Sequence, residues 1–138
     1  MAESDLTLRP IGYVRSSLQR REDAPRQGSE GAPEAWIELD PAFADAGADL
    51  HAGDHLILLT WFHEGRREVQ KVHPRNIPGR PLTGVFATRS PDRPNPIGLH
   101  RVTLLAVDGS LLHVAPLEAI DGTPVVDIKP VLAGTEDF

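Results

Sequence analysis

Apolar positions in this chain fall in short runs, most of them with a period near two, separated by stretches dense in proline, glycine and charge. Residues 6–14 carry Leu8, Ile11, Tyr13 and Val14 and predict a first strand, with Pro10 marking an edge or a bulge. Residues 15–35 hold no sustained apolar period and contain Pro25, Gly28, Gly31 and Pro33. They predict an exposed loop of about twenty residues, long enough to suspect function. Residues 36–39 alternate and predict a short strand. Asp40-Pro41 then offers an N-cap acid and a proline at the first helical position, which predicts a short helix over the Ala-rich stretch to Leu50.

Residues 55–62, His-Leu-Ile-Leu-Leu-Thr-Trp-Phe, are an unbroken run of strand length and predict a central strand buried on both faces. His63 and Glu64 stand at its exit, where polar groups either line a pocket or simply meet solvent. Residues 64–80 read as a polar, basic connection and 84–88 as a strand. Residues 102–107 and 111–115 form a hairpin signalled by Asp108-Gly109, and Asp121-Gly122 announces a second turn before the last run, 123–130. No βαβ rhythm and no repeat appears. The pattern predicts an all-β or β-dominated fold, a small β-barrel with at most one or two short helices. It makes a single domain of residues 1–138, with its core over about 8–130 and residues 131–138 as a tail.

One stretch does not fit the rhythm. After residues 84–88, the prolines at 91, 94 and 96 fix φ and remove backbone donors, so 90–96 can be neither helix nor central strand. This stiff loop carries Arg89, Ser90, Asp92, Arg93 and Asn95, all able to hydrogen-bond. A rigid loop dense in polar side chains is either a structural turn with internal ion pairs or a pre-organised binding site.

Charge sharpens that choice. The chain of 138 residues has a net charge of −6, which argues against a strongly basic nucleic-acid module. The charge is unevenly spread. Residues 1–59 hold five arginines against eleven acids, 60–101 eight basic residues against three acids, and 102–138 one lysine against six acids. An anionic partner would therefore meet the middle segment, unless its arginines serve to neutralise the flanking acids. The chain has no cysteine, hence no thiol nucleophile, disulfide or thiolate zinc site. It has no Gly-x-Ser-x-Gly elbow, P-loop or Gly-x-Gly-x-x-Gly fingerprint. His51 and His55 have i, i+4 spacing, but one ends the expected helix and the other opens a strand, so no metal site is expected. With no apolar run of membrane-spanning length and an acidic N-terminus, the expected location is the cytoplasm, with no membrane partner.

The run at 84–99, Gly-Val-Phe-Ala-Thr-Arg-Ser-Pro-Asp-Arg-Pro-Asn-Pro-Ile-Gly-Leu, closely resembles the signature of the TsaA-like (YaeB/TrmO) family. So does Asp-Gly-Thr-Pro-Val-Val-Asp-Ile-Lys-Pro at 121–130. Ile11-Gly-Tyr-Val-Arg-Ser16, Pro25-Arg26-Gln27 and Trp61-Phe62-His63 match shorter elements in the right order, so the resemblance covers nearly all of 8–130. It implies a small β-barrel methyltransferase using S-adenosyl-L-methionine (SAM), usually a homodimer. It also implies SAM contacts at Pro25, Arg26, Gln27, His63, Glu64, Arg89, Leu99, Ile120, Asp121, Gly122 and Thr123. The acceptor it implies is N6 of threonylcarbamoyl-modified adenosine-37 in tRNA. A small-molecule acceptor and a non-catalytic SAM- or tRNA-binding module are the alternatives. By motif position, His63, Asp121 and Asp127 are the candidate bases, and Arg93, Asn95 and Lys129 the candidate acceptor contacts. Asp127 and Lys129 could equally be an ion pair anchoring the last strand. Members of the family usually continue Asp-Ile-Lys-Pro with tyrosine, where this chain has Val131.

Overall fold

The computed structural model describes residues 6–25, 31–74 and 79–132. Its strands in chain order are β1 (Gly12–Arg15), β2 (Ala35–Leu39), β3 (His55–Trp61), β4 (Lys71–Val72), β5 (Thr83–Gly84), β6 (Ile97–Asp108), β7 (Leu111–Ala115) and β8 (Pro124–Pro130). Alternation of buried and exposed positions governs the long ones. Leu56, Leu58 and Thr60 of β3, and Gly98, His100, Val102 and Leu104 of β6, are buried between neighbours that are half-buried or exposed. A period of two with one dry face lets a sheet close around its own side chains. Six strands close in the order β1-β2-β7-β6-β3-β8, each antiparallel to its neighbours, with Gly12 paired to Val125 across the seam between β1 and β8. Inside lie Val14, Ile37, Leu58, Leu104, Leu112 and Val125, all fully buried or nearly so. Each such side chain contributes about 1.5–3 kcal/mol by leaving water.

The barrel confirms the β-dominated reading and corrects several of its parts. β3 is central in pairing, lying between β6 and β8, but it is buried on one face only. The barrel's convex side leaves Ile57, Leu59 and Trp61 half-buried, so an unbroken apolar run there means one dry face and one merely sheltered face. The first strand is shorter and later than 6–14, because Leu6 and Leu8 are exposed and ladder pairing runs over Gly12–Arg15, with the Ile11 amide and carbonyl bonded to Val125 and Asp40 just before it. The strand expected at 84–88 is absent. Thr83–Gly84 pairs with Lys71–Val72, and Val85–Ala87 then turns as a short 3-10 helix closed by the Thr88 amide and hydroxyl, both donating to the Val85 carbonyl. That turn buries Val85 and leaves Phe86 82% exposed. The strand expected at 102–107 is instead Ile97–Asp108 and begins directly after Pro96.

The expected helix exists as a 3-10 helix over Pro41–Gly47, with non-helical geometry at Phe43, and the Asp40 carboxylate accepts from the Ala42 amide at 2.9 Å. Asp108-Gly109 turns the β6–β7 hairpin as expected, with Gly109 at φ 60°, a left-handed geometry that glycine adopts without steric cost. No described helix is long and apolar enough to cross a membrane.

Candidate functional site

The barrel's strand ends carry loops that meet over one rim. The loop after Thr88 is held by its own side chains rather than by a ladder. Thr88 Oγ1 accepts from the Ser90 amide (3.1 Å), and Ser90 Oγ accepts from the Asp92 amide (3.1 Å). Arg93 Nη1 donates to the carbonyls of Thr88 (2.9 Å) and Ser90 (3.1 Å), while its guanidinium stands 6.0 Å from the Phe86 ring centre. Asn95 Oδ1 accepts from Arg67 Nη2 at 3.0 Å, and Arg67 also donates from Nε to the Pro94 carbonyl at 2.7 Å. Arg93 and Asn95 thus fix the proline loop's shape.

Asp92 joins three segments. Its Oδ2 accepts from Arg21 Nη2 at 2.5 Å and its Oδ1 from the Arg66 amide at 2.9 Å, while Arg21 Nη1 donates to the Glu64 carbonyl at 3.3 Å. Burial alone would raise the Asp92 pKa. The Arg21 hydrogen bond, the Arg66 amide and the charge of both arginines outweigh burial and hold the carboxyl below its ordinary range. This clasp draws the loop carrying Arg21–Asp23 over the exit of β3. From the other side the turn at 118–123 closes in. The Asp121 amide donates to the Leu18 carbonyl (2.7 Å), and Asp121 Oδ1 accepts from the Ser16 amide (3.1 Å). Thr123 Oγ1 donates to the Ile120 carbonyl at 2.7 Å.

These segments enclose an open pocket of about 1030 Å³. The first loop brings Arg21, Glu22 and Pro25 to it, and the β3 exit brings Phe62, His63 and Glu64. The β4–β5 region contributes Val72, His73 and Arg80. Phe86, Thr88 and Arg89 come from the proline loop, and Glu118, Ala119, Ile120 and Thr123 from the last turn. The wall therefore offers arginines that can grip an anion bidentately, carboxylates for a cation, and apolar patches for a flat ring.

Of the residues named from the sequence, Pro25, His63, Glu64, Arg89, Ile120 and Thr123 line this pocket together. Arg26 and Gln27 lie outside the described residues. Asp121 and Gly122 belong to the turn but not to the wall, and Gly122 donates its amide to Val14. Leu99 sits on β6 opposite Leu59, away from the pocket wall. Asp127 and Lys129 form an ion pair at 3.2 Å on β8, both roughly half-exposed, and neither lines the pocket. Among the described residues no cluster of His, Cys, Asp and Glu could hold a metal ion.

One cluster was not named from the sequence. His100 points into the barrel with its side chain fully buried, its Nε2 2.7 Å from Thr60 Oγ1 and its Nδ1 bonded to Glu118 Oε1. The Phe62 ring meets His100 edge-on at 5.7 Å. Glu118 thus joins the barrel interior to the pocket wall. The signal was available: strand parity through Val102 and Leu104 puts His100 on the inward face, and a histidine there needs a partner.

Comparison with known proteins agrees with the architecture. The family model described as the tRNA-methyltransferase O N-terminal domain matches residues 13–137. A probable S-adenosyl-L-methionine-binding protein of Methanothermobacter thermautotrophicus is 44% identical over 130 residues, covering 94% of this chain and 93% of its own length. An S-adenosyl-L-methionine-binding protein of Archaeoglobus fulgidus is 42% identical over 125 residues, covering 90% of this chain and 88% of its own. A crystal structure of TrmO from Pseudomonas aeruginosa superposes with a TM-score of 0.76 at 33% identity, covering 98% of this chain. This chain spans 59% of that structure's length.

Proposed function

The chain belongs to the family of the tRNA-methyltransferase O N-terminal domain, and from that premise we propose that its pocket binds SAM and that the protein is a SAM-dependent N-methyltransferase. One observation carries the reading. Pro25, His63, Glu64, Arg89, Ile120 and Thr123, from four separate segments, meet around a single cavity. The lining fits the ligand's chemistry. Arg89 suits its carboxylate, Glu64 its α-ammonium, and the surface of Ile120 and Ala119 its adenine. When bound, SAM supplies a methyl group already activated on a positively charged sulfur. The chain's own part is to hold that methyl in line with an acceptor nitrogen, and such alignment can supply up to about 7–11 kcal/mol of the barrier.

The acceptor in this reading is N6 of threonylcarbamoyl-modified adenosine in tRNA. Its support is the basic rim. Among the described residues Arg21, Arg80 and Arg89 line the pocket beside Phe86, which is 82% exposed, and exposed aromatics beside arginines suit an unstacked base. Calorimetric titration with SAM, run beside Arg89→Ala, tests the cofactor half. Micromolar binding that weakens at least about tenfold in the variant is expected, as for loss of a charge-assisted hydrogen bond. Transfer of labelled methyl into bulk unmethylated tRNA then tests the acceptor half. Absence of SAM binding by the wild-type protein would refute the cofactor assignment.

A further inference from the structure

We propose that Glu118 is the fixed anion of the pocket and holds the sulfonium of SAM, with His100 as the residue that positions it. The inference rests on the SAM reading above and concerns which part of that ligand meets which wall.

Among the described residues three carboxylates reach the pocket, and they differ in exposure. Glu22 and Glu64 have side chains 69% and 52% exposed, whereas Glu118 is 12% exposed. Charges in water are screened and exchange partners freely; a charge mostly withdrawn from water acts more strongly on whatever faces it. The three charged groups of SAM make different demands. Its carboxylate accepts hydrogen bonds and suits the arginines, and its ammonium donates them and suits a wet carboxylate such as Glu64. The sulfonium has no N–H or O–H to donate, so it is held by negative charge or an aromatic face, and a charge acts on it most strongly in a poorly solvated place. Among the described residues Glu118 is the one carboxylate of that kind on the wall.

The carboxylate is also held in place. Glu118 Oε1 bonds to Nδ1 of His100, whose side chain is fully buried, and His100 Nε2 lies 2.7 Å from Thr60 Oγ1. With the proton on Nδ1, the ring donates to Glu118 and accepts from the Thr60 hydroxyl, so both ring nitrogens are satisfied. Among the described residues no hydrogen bond occupies Glu118 Oε2. Gly98 makes room for the arrangement. A Cβ there would stand 2.4 Å from Thr60 Oγ1, 2.5 Å from Phe62 Cζ and 2.8 Å from His100 Nε2. A carboxylate with one oxygen anchored behind, on a buried imidazole, suits a ligand whose cation cannot hydrogen-bond.

The test uses two ligands that share everything except the transferable methyl and its positive charge: SAM and S-adenosylhomocysteine. Both are titrated calorimetrically into wild-type protein, Glu118→Gln and His100→Gln, with a thermal melt of each to establish folding. Glu118→Gln is expected to weaken SAM about ten- to hundredfold, the range for losing a partly buried charge contact, while leaving S-adenosylhomocysteine within about twofold. His100→Gln should shift the same ratio in the same direction by less. If Glu118→Gln does not fold, Glu118→Asp, which draws the charge back by one methylene, should lose SAM selectively. An unchanged SAM to S-adenosylhomocysteine ratio in the folded variant, whether both ligands weaken or neither does, overturns the inference and leaves the SAM reading standing. Wild-type protein that binds neither ligand overturns both.

Discussion

Followed along β3 and β6, the two ends of the barrel interior are built from the same strands with the same alternation, yet they differ in chemistry. Away from the pocket the inward positions are Leu56, Val102 and Leu104, and nothing there needs a direction. Toward the pocket they become Thr60, Gly98 and His100, and every contact there is directed. Apolar filling tolerates a rotated methyl, whereas a buried hydroxyl or imidazole without its partner costs about 1–3 kcal/mol. The polar end meets that requirement in full. Among the described residues no buried side-chain nitrogen or oxygen lacks a hydrogen-bond partner. A barrel needing only stability would be filled with leucine at both ends. Polar filling at one end places a carboxylate on the pocket wall, and the difference between the ends marks where structure turns into site.

Breaking the apolar end should cost the most stability and change the ligand least. Leu56→Ala leaves a cavity in a fully buried position and is expected to lower unfolding free energy by about 2–5 kcal/mol. Urea unfolding measures that loss. The relative affinity of the variant for SAM and S-adenosylhomocysteine, read below the transition, should equal that of wild-type protein. Gly98→Ala attacks the polar end with less volume. Its methyl cannot fit without moving Thr60, Phe62 or His100, all three by their side chains, so about 1–3 kcal/mol of overpacking is expected. The same movement should weaken SAM in calorimetry although residue 98 lies behind the wall. Native-like SAM affinity in Gly98→Ala would mean that the cluster can rearrange without disturbing the pocket.

The contrast between the two ends was half legible in the sequence. Period-two patterning gave the barrel, and Asp108-Gly109 gave its hairpin, because both depend on local geometry alone. The proline loop was recognisable for the same reason. Its prolines exclude regular structure, and its arginine density announced something to hold. What it holds was less visible. Arg93 donates to the Thr88 carbonyl within the loop, and Asn95 accepts from Arg67, which only the fold brings near. The strand expected at 84–88 became a 3-10 turn because the Thr88 hydroxyl and amide claim the Val85 carbonyl that a ladder would have used. The apolar run at 55–62 gave no hint that one face would be outside, since closure is a property of six strands together. His100 and Glu118 are eighteen positions apart and carry no spacing signal; only inward parity on β6 singles out the histidine.

A buried cluster and a rim clasp should also answer acid differently, and this is the smallest effect expected. Asp92 lies at the rim, where Arg21 and the Arg66 amide hold its carboxyl below the ordinary 3.8. A depressed folded-state pKa means that the unfolded chain takes up the proton first. The clasp's contribution is therefore fully present above about pH 4 and fades as pH falls through the lower, folded value. Arg21 is 37% exposed, so the clasp contributes at most about 1 kcal/mol. Glu68 is also held below its ordinary value, by its backbone hydrogen bond and by Arg66, so both groups contribute to the acid limb of the wild-type stability curve. Asp92→Asn separates them. Urea unfolding between pH 7 and pH 3 should show the variant less stable at pH 7, with the gap narrowing toward pH 3. A gap that stays constant would mean that Asp92 holds the loop by shape, through hydrogen bonds that asparagine also makes poorly, and not by charge.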